Sequence, residues 1–366
     1  MTLPRRKMIA LTGGGVVLAA AAAAGGFVAT RSPDTALAPW QTAGRYDDPR
    51  LAALSWAILA PNPHNRQPWM AQLRGSDELL IWRDGSLNLP ETDPFDRQLT
   101  IGMGCFLEVF RQAAAQLGFA AKPVLFPDGG DGPVARIRLE PGGRPDPLFA
   151  QVPARRTNRN AYEDRLPPLD ALRPLASAVI TEASKVAALR TLTWEAMRIE
   201  MATPRTHLES VRMMRFGKRE IEASPDGIAL RGPVLEALMA AGLLTRKGQA
   251  DPASGEYAQA LAMLKSAMLA TPAYAVITTR GNSRRDQIEA GRRWVRLHLA
   301  ATGQGLAMQP VSQALQEYPE QADLYAKARK LLASPGETVQ MLGRVGYAPR
   351  AAPSPRWPLE TRLIDA

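Results

Sequence analysis

From Asp48 onward the chain switches repeatedly between two hydrophobic spacings. Leu51, Leu54, Ile58 and Leu59 recur at helical intervals and predict a helix over 48–60. Residues 69–73 and 78–82 read as strands separated by Gly75-Ser76-Asp77, a hairpin-like turn. A long helix is predicted from about 99 to 117, with Phe106, Phe110, Ala113 and Leu117 along one face and Gly118 ending it. Residues 134–140 alternate as a strand. Further on, helices are predicted over 169–179, 204–222, 234–244 and 257–268, and a second long helix over 286–302. Residues 192–200, 273–279 and 340–347 read as strands. Residues 31–46, with Pro33, Pro39 and Gly44, read as a linker. Residues 224–257 are turn-rich around an apolar centre, compatible with an insertion or with plain core.

The two long helices belong to a longer self-similarity. An offset of 187 residues aligns Arg97 with Arg284, Ile101 with Ile288 and Gly104 with Gly291. The same ungapped offset pairs Ala113 with Ala300, Gly118 with Gly305, Pro123 with Pro310 and Val124 with Val311. Alanine-rich helices match by chance, but the helix-ending Gly and the Pro-Val beyond it do not. The expectation is an internal duplication, with each copy carrying a long core helix and a following strand.

The first 30 residues have a different character. Arg5-Arg6-Lys7 precedes a run from Met8 to Ala29 without charge, dominated by Ala and Gly. This is the layout of a targeting segment or membrane anchor. The Arg-Arg pair resembles a twin-arginine export signal, although Pro4 stands where Ser or Thr is common. An exported, periplasmic protein is expected, with anchoring through the N-terminus as the alternative.

Composition narrows the chemistry. The chain has 366 residues, 46% hydrophobic and 22% charged, enough for a sizeable core. A single cysteine, Cys105, excludes an intrachain disulfide framework, and its apolar helical setting predicts a buried, inert thiol. His64, His207 and His298 lack metal-ligand spacing, so no metal is expected. The net charge of +10 comes from dispersed arginine without a compact basic block or nucleic-acid-binding signature. Attraction for anionic ligands is the simpler reading, and no nucleic-acid partner is expected. No Ser-His-Asp triad or paired carboxylate stands out.

Two stretches carry candidate chemistry. Pro61-Asn62-Pro63-His64-Asn65-Arg66-Gln67-Pro68-Trp69 combines a proline-stiffened backbone with convergent polar side chains. It suits a planar ligand with polar edges, or an ordinary turn. Arg155-Arg156-Thr157-Asn158-Arg159 sets three arginines around a hydroxyl, either an oxyanion cradle or a solvated basic turn. Each charge-assisted bond to phosphate contributes about 1.5–3 kcal/mol.

The first stretch resembles the Pro-Ser-x-x-Asn-x-Gln-Pro-Trp signature of FMN-dependent nitroreductases, most closely the Acg-type branch with two nitroreductase-like repeats in one chain. Asn62 replaces the usual Ser. The second resembles the Arg-x-Ser-x-Arg motif that binds FMN, with Arg155, Thr157 and Arg159 in its positions. The resemblance implies an α+β nitroreductase-like fold. Two tandem repeats would form a pseudo-dimer, with antiparallel or mixed sheets flanked by long core helices. Repeat 1 would span 47–150 and repeat 2 155–350, with 224–257 as a lid and 351–366 as a tail. It implies FMN held by Asn62, His64, Asn65, Gln67, Arg155, Thr157, Arg159, Pro310 and Arg356, with Trp69 packed beneath the loop. The chain holds one loop and one arginine motif, so one FMN per monomer is expected. A small electron acceptor, nitroaromatic or quinone-like, would be the substrate, with the donor left open. The alternative implied is an FMN-sequestering protein that does not turn over.

Overall fold

The computed structural model describes residues 31–365; residues 1–30, for which a targeting role is expected from sequence, lie outside them. The chain folds as α+β. Helices in order are α1 (Asp34–Leu37), α2 (Pro39–Thr42), α3 (Pro49–Ala57), α4 (Arg97–Gln116), α5 (Leu169–Leu172), α6 (Ala183–Ala202) and α7 (Pro204–Met213). There follow α8 (Gly217–Ala223), α9 (Pro233–Ala240), α10 (Arg246–Ala250), α11 (Gly255–Leu269), α12 (Arg284–Gly303) and α13 (Ala322–Leu332). Strands are β1 (Trp69–Arg74), β2 (Glu78–Arg83), β3 (Phe119–Leu125), β4 (Ala135–Pro141), β5 (Val179–Ile180), β6 (Met214–Phe216), β7 (Ile228–Leu230), β8 (Ala273–Thr279), β9 (Ala307–Pro310) and β10 (Thr338–Gly346).

Two four-stranded antiparallel sheets share one connection pattern. Their orders are β1-β2-β4-β3 and β5-β8-β10-β9. In each, a long helix joins the second strand of that order to the fourth: α4 joins β2 to β3, and α12 joins β8 to β9. A third, two-stranded parallel ribbon pairs β6 with β7.

The long helices cross at paired glycines. A Cβ on Gly104 would lie 2.1 Å from the Ile288 carbonyl oxygen, and one on Gly291 would lie 1.9 Å from that of Ile101. Only glycine permits such backbone approach. The contact is reciprocal at the same 187-residue offset. Arginines at the helix starts also reach across. Arg97 bonds the Leu315 and Gln340 carbonyls, while Arg284 bonds the Phe95 carbonyl. Glu108 of α4, nearly inaccessible, pairs with Arg111 beside it and with Arg292 and Arg296 of α12. Burial would raise its carboxyl, but bonds from Arg111, Gln112 and Arg296 outweigh burial and hold it at about 2. One core spans both halves, mixing Leu54, Phe106 and Phe110 with Trp294, Val295 and Met308. Cys105 lies in it, its thiol donating to the Gly291 carbonyl at 3.2 Å and pushed up to about 12 by burial.

Three expectations require correction. Residues 192–200 are helical, the last turns of α6; the buried positions Leu189, Leu192, Thr193, Ala196, Met197 and Glu200 follow helical spacing. The predicted 204–222 helix is broken by β6, because Gly217 adopts φ +71°. Residues 31–46 are not a bare linker. They contain α1 and α2, tied down where the Glu222 carboxylate accepts the Thr35 and Ala36 amides at 3.2 and 3.1 Å.

Glu200, at the end of α6, is buried beside Gln316, whose amide donates to it at 2.6 Å. Burial pushes its carboxyl up to about 7, against the pull of the Gln316 and Gln313 amides. The fold therefore favours the neutral acid, and stability falls as pH rises from the unfolded value toward 7 and above. Glu200→Gln keeps the acceptor and removes the titration. It is expected to stabilise the protein by about 3 kcal/mol at pH 8 and to change little at pH 4. Urea unfolding at the two pH values measures this.

Candidate functional site

The loop after α3 is the most strained segment among the described residues. His64, Asn65 and Gln67 all adopt positive φ, at 45°, 55° and 52°. Asparagine and histidine enter that region more readily than most residues, but glutamine rarely does, and three such residues within four positions are unusual. Such conformations persist only where the surroundings over-determine them, and here the bonds that do so are identifiable. The Asn62 Oδ1 accepts the Gln67 backbone N–H at 2.8 Å, and its Nδ2 donates to the Ala60 carbonyl. Asn65 Nδ2 donates to the Pro225 and Pro355 carbonyls, both at 3.1 Å. Gln67, fully buried, donates to the Asn65 and Pro225 carbonyls and accepts the Trp357 N–H at 2.9 Å.

Asn62, Asn65 and Gln67, expected to grip a cofactor, thus spend their amides on the protein itself. Their role in this structure is to fasten the loop to the Pro225 segment and the tail. Trp69 packs beneath the loop, stacked on Phe106 with ring centroids 5.0 Å apart. Asp226 completes the fastening: it is buried and accepts from Arg66, from Arg215 at 2.7 Å and from Ser224 at 2.6 Å. Asp226→Ala leaves two arginines short of a counter-charge. It is expected to cost about 3–5 kcal/mol locally, read as faster amide exchange at residues 224–230.

No hydrogen bond engages the His64 ring among the described residues. Burial first, then the Arg159 and Arg66 charges, pull its imidazole down to about 4, so it is neutral at pH 7. Arg159 has no partner among the described residues. It is open to water, yet desolvation lowers its guanidinium. Its charge acts on the His64 imidazole, so the loop and the arginine motif lie close together here. Thr157 bridges to Met308, and the Asn158 N–H donates to the Met308 carbonyl at 2.9 Å, which sets the arginine motif against β9 and near its last residue, Pro310.

Against the end of α3 and the start of the loop lies a group of buried arginines. Arg155 Nη2 donates to the Leu59 carbonyl at 3.0 Å, and Arg356 Nη2 to those of Leu59 and Ala60, both at 3.1 Å. Arg356 also donates to the Asn65 Oδ1. Arg156 lies over the Trp40 ring at 4.0 Å, and Arg356 faces the same ring at 5.6 Å. Capping the carbonyls at the end of α3 accounts for part of this arrangement. It does not account for the charge. None of the three arginines is in an ion pair, and Arg155 Nη1, Arg156 Nε and Arg356 Nε are buried without a partner. Burial, then Arg156, lowers Arg155 to about 10; burial, then Arg350, lowers Arg156 to about 10. Burial, then Arg155 and Arg156, lowers Arg356 strongly. Buried polar groups almost always find partners. Three orphaned N–H groups on mutually repelling cations have the chemistry to receive an anion.

The loop, the first arginine of the motif and the tail are therefore bonded to one another. Comparison with known proteins follows the same line. A Mycobacterium tuberculosis protein provisionally named an NAD(P)H nitroreductase is 28% identical over 325 residues, covering 83% of this chain and 87% of its own length. In sequence, this chain is nitroreductase-like. No protein-family profile matches it. Among solved structures, the nitroreductase NfnB of Mycobacterium smegmatis aligns with 58% of this chain and 94% of its own, at 20% identity and TM-score 0.35. A Bacteroides fragilis nitroreductase aligns with 57% and 91%, at 13% identity and TM-score 0.32.

Sequence reasoning missed Trp40 and left Arg156 out of the site, because the ring that covers Arg156 comes from a segment read as linker. A separate open cavity of about 520 Å³, lined by Phe95, Asn282, Ser283, Arg284, Gln287 and Glu317, shares no residue with the loop or the arginine group. Among the described residues, no cluster of His, Cys, Asp and Glu could hold a metal.

Proposed function

We propose that this chain is an FMN-binding oxidoreductase of nitroreductase type that reduces a small acceptor, nitroaromatic or quinone-like. The observation that carries the reading is the buried arginine group, with three orphaned N–H donors and no counter-charge, held against the 59–67 segment. Arg155, Arg156 and Arg356 would hold the phosphate. Thr157 and Pro310 would flank the ring, with Arg159 offering positive charge to an electron-rich edge. Neutral His64 would bind as a hydrogen-bond donor or acceptor, not as a cation. When bound, FMN supplies the electron-transfer chemistry, and the protein positions it. The relative named as an NAD(P)H nitroreductase supports the redox reading, and the likeness of residues 61–69 and 155–159 to FMN-binding segments of nitroreductases supports the cofactor.

The matching sheet orders and the reciprocal Gly104–Gly291 contact support a duplicated chain acting as a pseudo-dimeric monomer. With one loop and one arginine motif, it would carry one FMN. The Arg5-Arg6 leader supports export. A protein outside the cytoplasm would lack ready NAD(P)H, and its physiological donor would then differ from that in the mycobacterial relative's name.

A sequestering role draws on a different observation, the bonding of Pro225 and Gly227 to the loop. Anaerobic mixing of the FMN-loaded protein with NADPH separates the two readings. Loss of flavin absorbance, restored by a nitroaromatic, is expected of a reductase. Bound flavin that no reductant bleaches would favour sequestration.

A further inference from the structure

Helix α9 turns no polar side chain outward. Its sequence, Pro-Val-Leu-Glu-Ala-Leu-Met-Ala, carries one charge, Glu236, and Glu236 is its one buried residue. The outward positions are Pro233, Val234, Ala237 and Ala240. Val234 is 73% exposed, and Leu243 just beyond the helix 63%. A helix facing water has the opposite arrangement, with its polar face outward. Isolated exposed apolar residues need no explanation, but a row of them on one face with the only charge turned inward does.

The partner of Glu236 says where this face lies. Its carboxylate pairs with Arg31 at 3.7 Å. Arg31 is where the uncharged run from Met8 to Thr30 joins the described fold. Glu222 of neighbouring α8 holds the Thr35 and Ala36 amides. Arg31, the first described residue, therefore lies beside the helix that carries the exposed apolar face. We propose that the outward face of α9, together with Leu243, docks on a lipid bilayer at the point where the N-terminal run meets it.

The dimensions favour a shallow lipid contact over a second copy of the chain. An eight-residue helix is about 12 Å long, and its single face falls far short of the roughly 800 Å² per partner that a stable dimer buries. No described helix is long and apolar enough to cross a membrane, so this contact lies on the surface. Exposed Arg219 and Lys247, on the flanking helices α8 and α10, add the positive charge that anionic headgroups attract.

The test uses the full chain reconstituted in vesicles of mixed zwitterionic and anionic lipid. A fluorophore is placed at Ala237→Cys, and in a second sample at Asp131→Cys in the β3–β4 turn; buried Cys105 does not compete for label. Quenchers attached to the acyl chains are expected to dim the label at 237 several-fold more than that at 131. Val234→Asp combined with Leu243→Asp is expected to erase the difference. Equal weak quenching at both positions would overturn the proposal, as would cross-linking of position 237 between two chains without quenching.

Discussion

Gly104→Ala is expected to destabilise the protein by more than about 3 kcal/mol, a large share of a typical domain's total stability. The new methyl would meet the Ile288 carbonyl oxygen at 2.1 Å, a backbone atom that cannot swing aside. To relieve the clash the two 20-residue helices must part, and the core around Phe106, Phe110 and Trp294 parts with them. Alanine's better helix propensity returns about 1 kcal/mol and does not reverse the sign. Gly85→Ala is the control. A Cβ there meets nothing within 4 Å, so its effect should stay within about 0.5 kcal/mol. Thermal unfolding of the two variants makes the comparison. A Gly104→Ala protein as stable as its parent would mean the crossing is looser than drawn.

Arg155→Met is expected to move stability and ligand affinity in opposite directions. Without ligand, Arg155 is a buried cation with one unpaired N–H and Arg156 beside it. An apolar side chain of similar length removes that uncompensated charge, so the ligand-free protein should gain stability. The same change deletes one charge-assisted bond to phosphate. FMN binding should weaken by about 1.5–3 kcal/mol, roughly 10- to 100-fold. A purely structural arginine that capped the Leu59 carbonyl would behave differently, losing stability without a selective loss of FMN. Differential scanning with and without FMN distinguishes the two.

How much of this was legible depended on whether the determining contacts were local. The long helices and the β1–β2 hairpin were readable because their periods of 3.6 and 2 and their Gly stops lie within the segment itself. Gly104 and Gly291 were visible as an aligned pair, though not as the atoms of a crossing. The 192–200 segment misled because Thr193, Trp194 and Ile199 look strand-like in a short window. Its true register appears only when the helix is followed from Ala183. The fastening of the loop amides was illegible for a different reason. Asn65 and Gln67 have their partners at Pro225, Pro355 and Trp357, about 160 and 290 positions away, and no local pattern encodes those meetings. Once they are in place, what remains free is what the sequence ranked no higher than the rest: His64, Arg159 and the unpaired N–H groups of three arginines.

The most direct test of the account is a calorimetric titration of ligand-free protein with FMN and, separately, with riboflavin, which lacks the phosphate. The buried arginine group predicts one FMN per chain and much weaker binding of riboflavin. Equal affinity for the two, or two FMN per chain, would contradict the assignment of Arg155, Arg156 and Arg356 as the phosphate site of a single-flavin protein.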